Sequence, residues 1–230
     1  MMKLVSELLD SPIEFNENYI NILEINDKKL FNKMVYSLNK SINLNEDIEG
    51  IYLLENNTEI NLSKNSIIIY DFFNIDVNQS KMLKALYEDI AKEYRFNYDD
   101  ETIISIQKNL IGSVREILME YDYEFTQKET VDIKDLLKIM ELKFDINYYD
   151  KPIENIFLLI DLVSAFNLYK LVVLVNAKCY FNSEEINEIY KMSKYKRINL
   201  LLVEFYKDET KKTLENKILI DEDFDEFNIK

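Results

Sequence analysis

The chain has no histidine and no tryptophan, one cysteine, two glycines and two prolines in 230 residues. Without histidine, a zinc site of the usual ligand set or a His-based catalytic triad has nothing to be built from. The lone thiol, Cys179, cannot form an internal disulfide, which agrees with a reducing cytoplasm as the expected compartment. Gly50 and Gly112 are too few for a Gly-rich phosphate loop, which needs several residues free to take positive φ beside the phosphates. Nucleotide binding by a Walker-type loop is therefore excluded. No apolar run approaches the roughly 18 to 20 residues that span a bilayer. The opening Met1-Met2-Lys3-Leu4 runs directly into Glu7 and Asp10. A soluble, unprocessed chain with no membrane partner is expected.

What is present is enough apolar material for one sizeable core or two modest ones, with 47% of residues hydrophobic. The formal charge is -15, from 43 acidic and 28 basic residues. Taken as a sum, that repels nucleic acid. Its distribution is uneven, because residues 168–217 hold ten bases against seven acids.

Two periodicities alternate along the chain. Short apolar runs at Ile20–Ile25, Ile51–Leu54, Ile67–Tyr70, Leu171–Val175, Ile198–Val203 and Ile218–Ile220 read as strands of a sheet covered on both faces. After Leu171–Val175, Asn182 with Glu185 three residues on forms a capping signal. Ile186, Ile189, Tyr190 and Ser193 then follow at helical spacing, so strand, helix and strand occupy the length of a right-handed βαβ crossover. Between Asn78 and Met140 two long helical stripes appear, then strand-like stretches at Tyr121–Phe125 and Thr130–Ile133 and a short helix through Leu136, Leu137 and Met140. A further helix is predicted over Ile153–Asn167. The expected architecture is a discontinuous α/β head, residues 1–77 and 143–230, with a mainly helical leg, 78–142, inserted.

Three constellations carry chemistry. Open α/β sheets hold ligands beyond the carboxyl ends of their strands, and those ends carry Asp71, Asn176 with Lys178, and Glu204. Two carboxylates and a lysine there suit a Mg²⁺-dependent nuclease or phosphoesterase, although polar residues also appear wherever a strand leaves a core. The acidic run Glu120, Asp122, Glu124, then Glu129 and Asp132, would put its first three carboxylates on one face of a strand, where calcium would relieve their repulsion. No EF-hand spacing accompanies it, and a solvated face accounts for the same pattern. Lys191, Lys194, Lys196 and Arg197, interleaved with Tyr190 and Tyr195, offer ammonium groups to a phosphate backbone. On one chain they read as the solvated face of an amphipathic helix. A ring of several copies would turn such a strip into a continuous positive lumen.

The segment from Leu171 to Glu185, with its strand end Val175-Asn176 and Lys178, resembles the C-terminal half of the CRISPR-associated Csn-family adaptation proteins of type II-A systems. So do the Leu200–Glu204 strand, the Ile218–Asp223 segment and the opening Leu8-Leu9-Asp10-Ser11-Pro12-Ile13. The likeness covers nearly the whole chain, in the shorter form of that family. It implies an α/β head with a mostly parallel sheet of P-loop-ATPase-like topology lacking Walker motifs. It also implies a homotetrameric ring that binds double-stranded DNA ends without reading sequence, holds structural calcium and no nucleotide, and acts in spacer acquisition beside the CRISPR integrase complex and the RNA-guided nuclease. On this resemblance Lys178 matches a family lysine at the strand end, and Lys33 falls on a helix where the family also has one. The acidic run is sparser here than in the family, because Thr126-Gln127-Lys128 follows Glu124.

The expected function is thus a non-enzymatic DNA clamp with Lys33, Lys178, Lys191 and Lys194 at the DNA and Glu120, Asp122, Glu124 and Glu129 at calcium. The alternatives are a carboxylate nuclease or phosphoesterase using Asp71 and Glu204, or an acidic protein-interaction adaptor that never touches DNA.

Overall fold

A computed structural model describes all residues except 47, 49, 98–100, 127, 129, 146–150, 206–213 and 230. The chain divides into two compact units, residues 1–76 with 146–230, and residues 77–145.

The first unit is built on a six-stranded sheet. Its members are β3 (Ile20–Ile25), β6 (Ser66–Ile69), β7 (Leu171–Val175), β8 (Asn199–Glu204), β9 (Glu215–Ile220) and β10 (Glu226–Ile229), in the spatial order β10-β9-β3-β8-β7-β6. All neighbours are parallel except the β9–β10 pair. Numbering the five parallel strands in chain order gives 5-1-4-3-2, a P-loop-ATPase-like topology. The consecutive apolar residues of β3, β7 and β8 follow from this placement, since a parallel strand inside such a sheet has both faces covered.

Alternation along the strands assigns the two faces. Leu23 and Ile25, Val173 and Val175, Leu201 and Val203, and Ile218 and Ile220 share one buried cluster. Helix α1 (Lys28–Asn39) joins that cluster with Phe31, Met34 and Leu38. A second, antiparallel sheet joins it too, made of β1 (Met2–Val5), β2 (Ile13–Phe15), β4 (Tyr52–Glu55) and β5 (Thr58–Ile60) in the order β2-β1-β4-β5. The opposite face is covered by α6 (Pro152–Ala165) and α8 (Ser183–Tyr195), which pack on each other. A π-helical turn, Lys40–Leu44, prolongs α1. Two four-residue helices, α2 (Leu62–Asn65) and α7 (Ala177–Tyr180), complete the unit.

The second unit holds α3 (Ser80–Asn97), α4 (Glu101–Leu118) and α5 (Ile133–Ile139). Helix α5 packs on α3, with Lys134 3.8 Å from Glu88, and the Tyr87 hydroxyl donates to the Leu142 carbonyl at 2.7 Å. The strand-like readings of Tyr121–Phe125 and Thr130–Ile133 fail. Tyr121, Asp122 and Tyr123 lie in bends beyond α4, and Ile133 opens α5 behind an Asp132 capping box with Asp135. Alternating apolar residues there had no neighbouring strand to pair with, so local pattern lost to context.

Leu201 is fully buried on β8, between β3 and β7. Replacing it by Ala removes apolar burial and leaves a cavity in the centre of the sheet. The expected cost is ~2–5 kcal/mol, read as a lowered denaturant midpoint with an unchanged slope.

Candidate functional site

In a sheet of this order the phosphate loop of a nucleotide-binding protein would follow β3 and open α1. Here the connection is two residues, Asn26 and Asp27. Asp27 takes extended backbone and its Oδ1 accepts from the Leu30 amide at 2.7 Å. A side-chain carboxylate thus occupies the helix N-terminus that a phosphate would need, and adds negative charge beside it.

The carboxyl ends of β3 and β8 carry Glu24 and Glu204, paired across the parallel register. Both side chains point to the α8 face, because Leu23, Ile25 and Val203 take the other one. Glu215 and Lys217 on β9 share their face, since Ile218 and Ile220 belong to the opposite cluster. The result is a polar network within an apolar interior. Glu24 Oε1 lies 3.0 Å from Lys217 Nζ and 3.5 Å from Lys178 Nζ. Glu215 Oε1 lies 3.1 Å from Lys178 Nζ and accepts from the Tyr190 hydroxyl at 2.8 Å. Glu204 Oε1 accepts from the Lys178 backbone amide at 3.2 Å. Glu204 is fully buried, and Glu24 is 1% exposed.

Three carboxyl groups face two ammonium groups. Burial pushes the Glu204 carboxyl up to about 7, against the pull of the Lys178 amide and ammonium. With Glu204 protonated, the formal charges in the network cancel, two against two. Burial and the Glu215 carboxylate also push the Tyr190 phenol up, which keeps it a neutral donor. The strand end Asn176 takes a left-handed conformation, φ 55°, and its side-chain oxygen accepts from the Phe205 amide at 2.8 Å, tying the exits of β7 and β8 together.

These contacts change the roles expected from sequence. Lys178 is only 9% exposed and is held by two carboxylates, so it is placed for the interior and not for a phosphate backbone. Glu204 is sealed, whereas Asp71 is exposed and folded into its own turn, accepting from the Phe73 amide at 3.0 Å and the Asn74 side chain at 2.8 Å. Strand β7 lies between the strands from which Asp71 and Glu204 emerge, so they do not form one accessible metal site. Lys33 on α1 and Lys191 on α8 are exposed, and Lys194 is half-buried with its ammonium donating to the Asn18 carbonyl at 2.9 Å. Lys33 stands on the opposite side of the sheet from Lys191 and Lys194, so one chain does not unite them.

The calcium expectation meets no matching geometry. Glu120, Asp122 and Glu124 are exposed on irregular chain rather than on a strand. Glu129 lies outside the described residues. Among the described residues no group of three or more candidate ligands converges on a metal position. Glu215 and Lys217 escaped sequence reasoning because they stand in the polar stretch Glu215-Asn216-Lys217 that opens β9, and Glu24 because it sits in the apolar run Ile20–Ile25. A charged residue inside such a run was itself the available signal.

The arrangement defines a class: an α/β protein of P-loop-ATPase-like topology whose phosphate-loop position is filled by its own carboxylate and whose sheet mouth is closed by an internal ion network. Among solved structures the chain is similar to a putative ABC transporter ATP-binding protein from Pyrococcus furiosus, at 8% identity and a TM-score of 0.41, over 94% of this chain and 97% of that one. At that level the likeness bears on neither activity nor ligand. Residues 43–224 match the family described as CRISPR-associated protein (Cas_Csn2), and the chain belongs to that family.

Glu204 generates a pH dependence whose sign is fixed. Its folded pKa lies above the ordinary 4.5, so its protonated form favours the native state. That stability is full below about pH 4.5 and is lost as pH rises through about 7. Glu204→Gln should flatten this segment of the stability curve and make the variant the more stable form at pH 8, by urea unfolding across that range. Lys178→Ala should instead lower stability by about 3–5 kcal/mol, because it strands buried carboxylates.

Proposed function

We propose that this CRISPR-associated chain acts in adaptation as a non-enzymatic clamp that binds ends of double-stranded DNA without reading sequence, as a homotetrameric ring. The observation that carries the non-enzymatic half is the two-residue Asn26–Asp27 junction, which leaves an ATPase-like sheet without a place for phosphates. The buried Glu204 and the self-satisfied Asp71 argue in the same direction against carboxylate-metal hydrolysis.

The DNA half rests on family membership and on exposed cations. Lys191 and Lys33 are exposed where phosphates could reach them, with Lys194 on the same helix as Lys191. Since the sheet separates Lys33 from Lys191, a DNA path touching both must be lined by different faces of different copies. That requirement favours a closed assembly over a single chain, and it reconciles DNA binding with a net charge of -15. Lys178 is left out of the contact set. The CRISPR integrase complex and the RNA-guided nuclease are the partners this reading assigns.

Linear and covalently closed duplexes of the same sequence test the whole reading. Retention of the linear form alone, with no cleavage in Mg²⁺ and no ATP turnover, is the expected result. Cleavage would establish the nuclease reading, and no retention of either form would leave the adaptor. Lys191→Glu should weaken linear-duplex binding at least tenfold, equally for unrelated sequences and with a shallower salt slope. Unchanged affinity in that titration would remove α8 from the DNA path.

A further inference from the structure

Among the described residues β10 pairs with β9 alone, at one end of the six-stranded sheet. In antiparallel pairing alternate residues turn their N–H and C=O groups away from the partner, so the outer side of β10 offers donors and acceptors to a further strand. The strand is not covered, since Phe227, Asn228 and Ile229 are exposed. Alternation divides them between two faces. Phe227 and Ile229 stand across the register from Leu219 and Lys217, and Asn228 across from Ile218. On the side of Asn228 lies a cavity of about 450 Å³, lined also by Ser11, Pro12, Glu14, Tyr19 and Asn216. One face of this edge is therefore apolar and the other polar. The turn before β10 is acidic. Asp221 Oδ1 accepts from the amides of Asp223 and Asp225 at 2.9 and 3.0 Å, which holds the turn in shape. Glu226 is engaged by the Asp10 amide at 2.9 Å and by the Ser11 hydroxyl. Glu222, Asp223 and Asp225 are exposed beside the edge.

We infer that the β10 edge docks a basic, extended segment of a partner protein, which joins the sheet as a further strand. Main-chain hydrogen bonds supply the pairing, and side chains of alternating direction supply the selectivity. On one face the segment covers Phe227 and Ile229, which calls for apolar residues there. On the other it meets Glu14 and the side-chain amides of Asn216 and Asn228, which calls for basic or polar ones. Glu14 already lies 2.6 Å from the Lys3 ammonium, so the acidic turn supplies most of the attraction. Charge also decides between occupants. A second copy of this chain would bring a second acidic turn to the same short edge, and a nucleic acid would meet carboxylates where it needs cations. The inference goes beyond the DNA reading and does not rest on it, since Lys33, Lys191 and Lys194 lie on other elements.

The probe is a labelled synthetic peptide of alternating lysine and valine, about eight residues long, the span of an ordinary strand. It is titrated onto the full chain by fluorescence anisotropy, with amide hydrogen exchange read by mass spectrometry. Saturable binding that slows exchange at β10 is the expected result. N-methylation of one alternate set of the peptide's amides should weaken binding roughly tenfold or more and of the other set little, because only one edge of an added strand faces β10. The double variant Asp223→Lys, Asp225→Lys should weaken it by roughly as much, more so at low salt, and the remote Glu59→Lys should not. Phe227→Ser should weaken it too. No saturable binding overturns the proposal. So does equal binding after methylation of either set, or undiminished binding by the double variant, since the peptide is then held without strand addition at this edge. Exchange at β10 that is slow in the peptide-free protein and quickens on dilution would mark a contact between copies, and overturns it as well. Retention of linear duplex is measured on the same samples, and its failure with peptide binding intact sinks the DNA reading while sustaining this one.

Discussion

A sheet of five parallel strands must hide both of its faces, and in this chain that requirement includes five charged side chains. Glu24, Glu204, Glu215 and Lys217 sit under α8 because their strand positions send them there, and Lys178 reaches them from α7. Desolvating them is tolerable only if the charges cancel and the lone pairs are used. Protonation of Glu204 achieves the first; the Tyr190 hydroxyl and the Lys178 amide serve the second for one oxygen each of Glu215 and Glu204, whose Oε2 atoms find no hydrogen-bond partner among the described residues. The position of α7, the packing of α8 and the alignment of β3, β8 and β9 all follow from keeping this network closed. Such a network gives little net stability, but a shift in strand register would leave ions unpaired. It therefore discriminates against alternatives.

The same closure bears on chemistry. An ATPase-like sheet usually keeps its mouth open for phosphate and metal. Here the first turn is shortened and capped by Asp27, and the strand ends are bound to each other through Asn176 and Lys178. Exposed cations lie instead on the solvent sides of α1 and α8, at Lys33 and Lys191.

Much of the head was legible because buried parallel strands announce themselves. Leu171–Val175 was read to the residue, and the Asn182 capping signal sits where α8 begins. The small antiparallel sheet was not, because β2 and β5 are three residues long and the pairing that joins its two hairpins, β1 with β4, sets Met2 against Glu55. Of the site residues, Lys33 and Lys191 kept to the solvent side of their helices. Lys178 did not, because its distance from Glu24 and Glu215 in sequence hid a contact made only by the fold. Tyr121–Phe125 failed for the opposite reason, an apparent strand pattern with no strand beside it.

Strand β3 occupies an interior slot between β8 and β9, so its two neighbours are made about 180 to 195 residues after it. At translation rates of roughly 5–20 residues per second, β3 waits on the order of ten to forty seconds for them. Meanwhile α3, α4 and α5 have emerged complete and depend on no later strand for their own contacts. The inserted unit can thus be finished on the ribosome while the unit that encloses it is still an exposed apolar segment. This order of birth makes β3 the natural client of a nascent-chain chaperone.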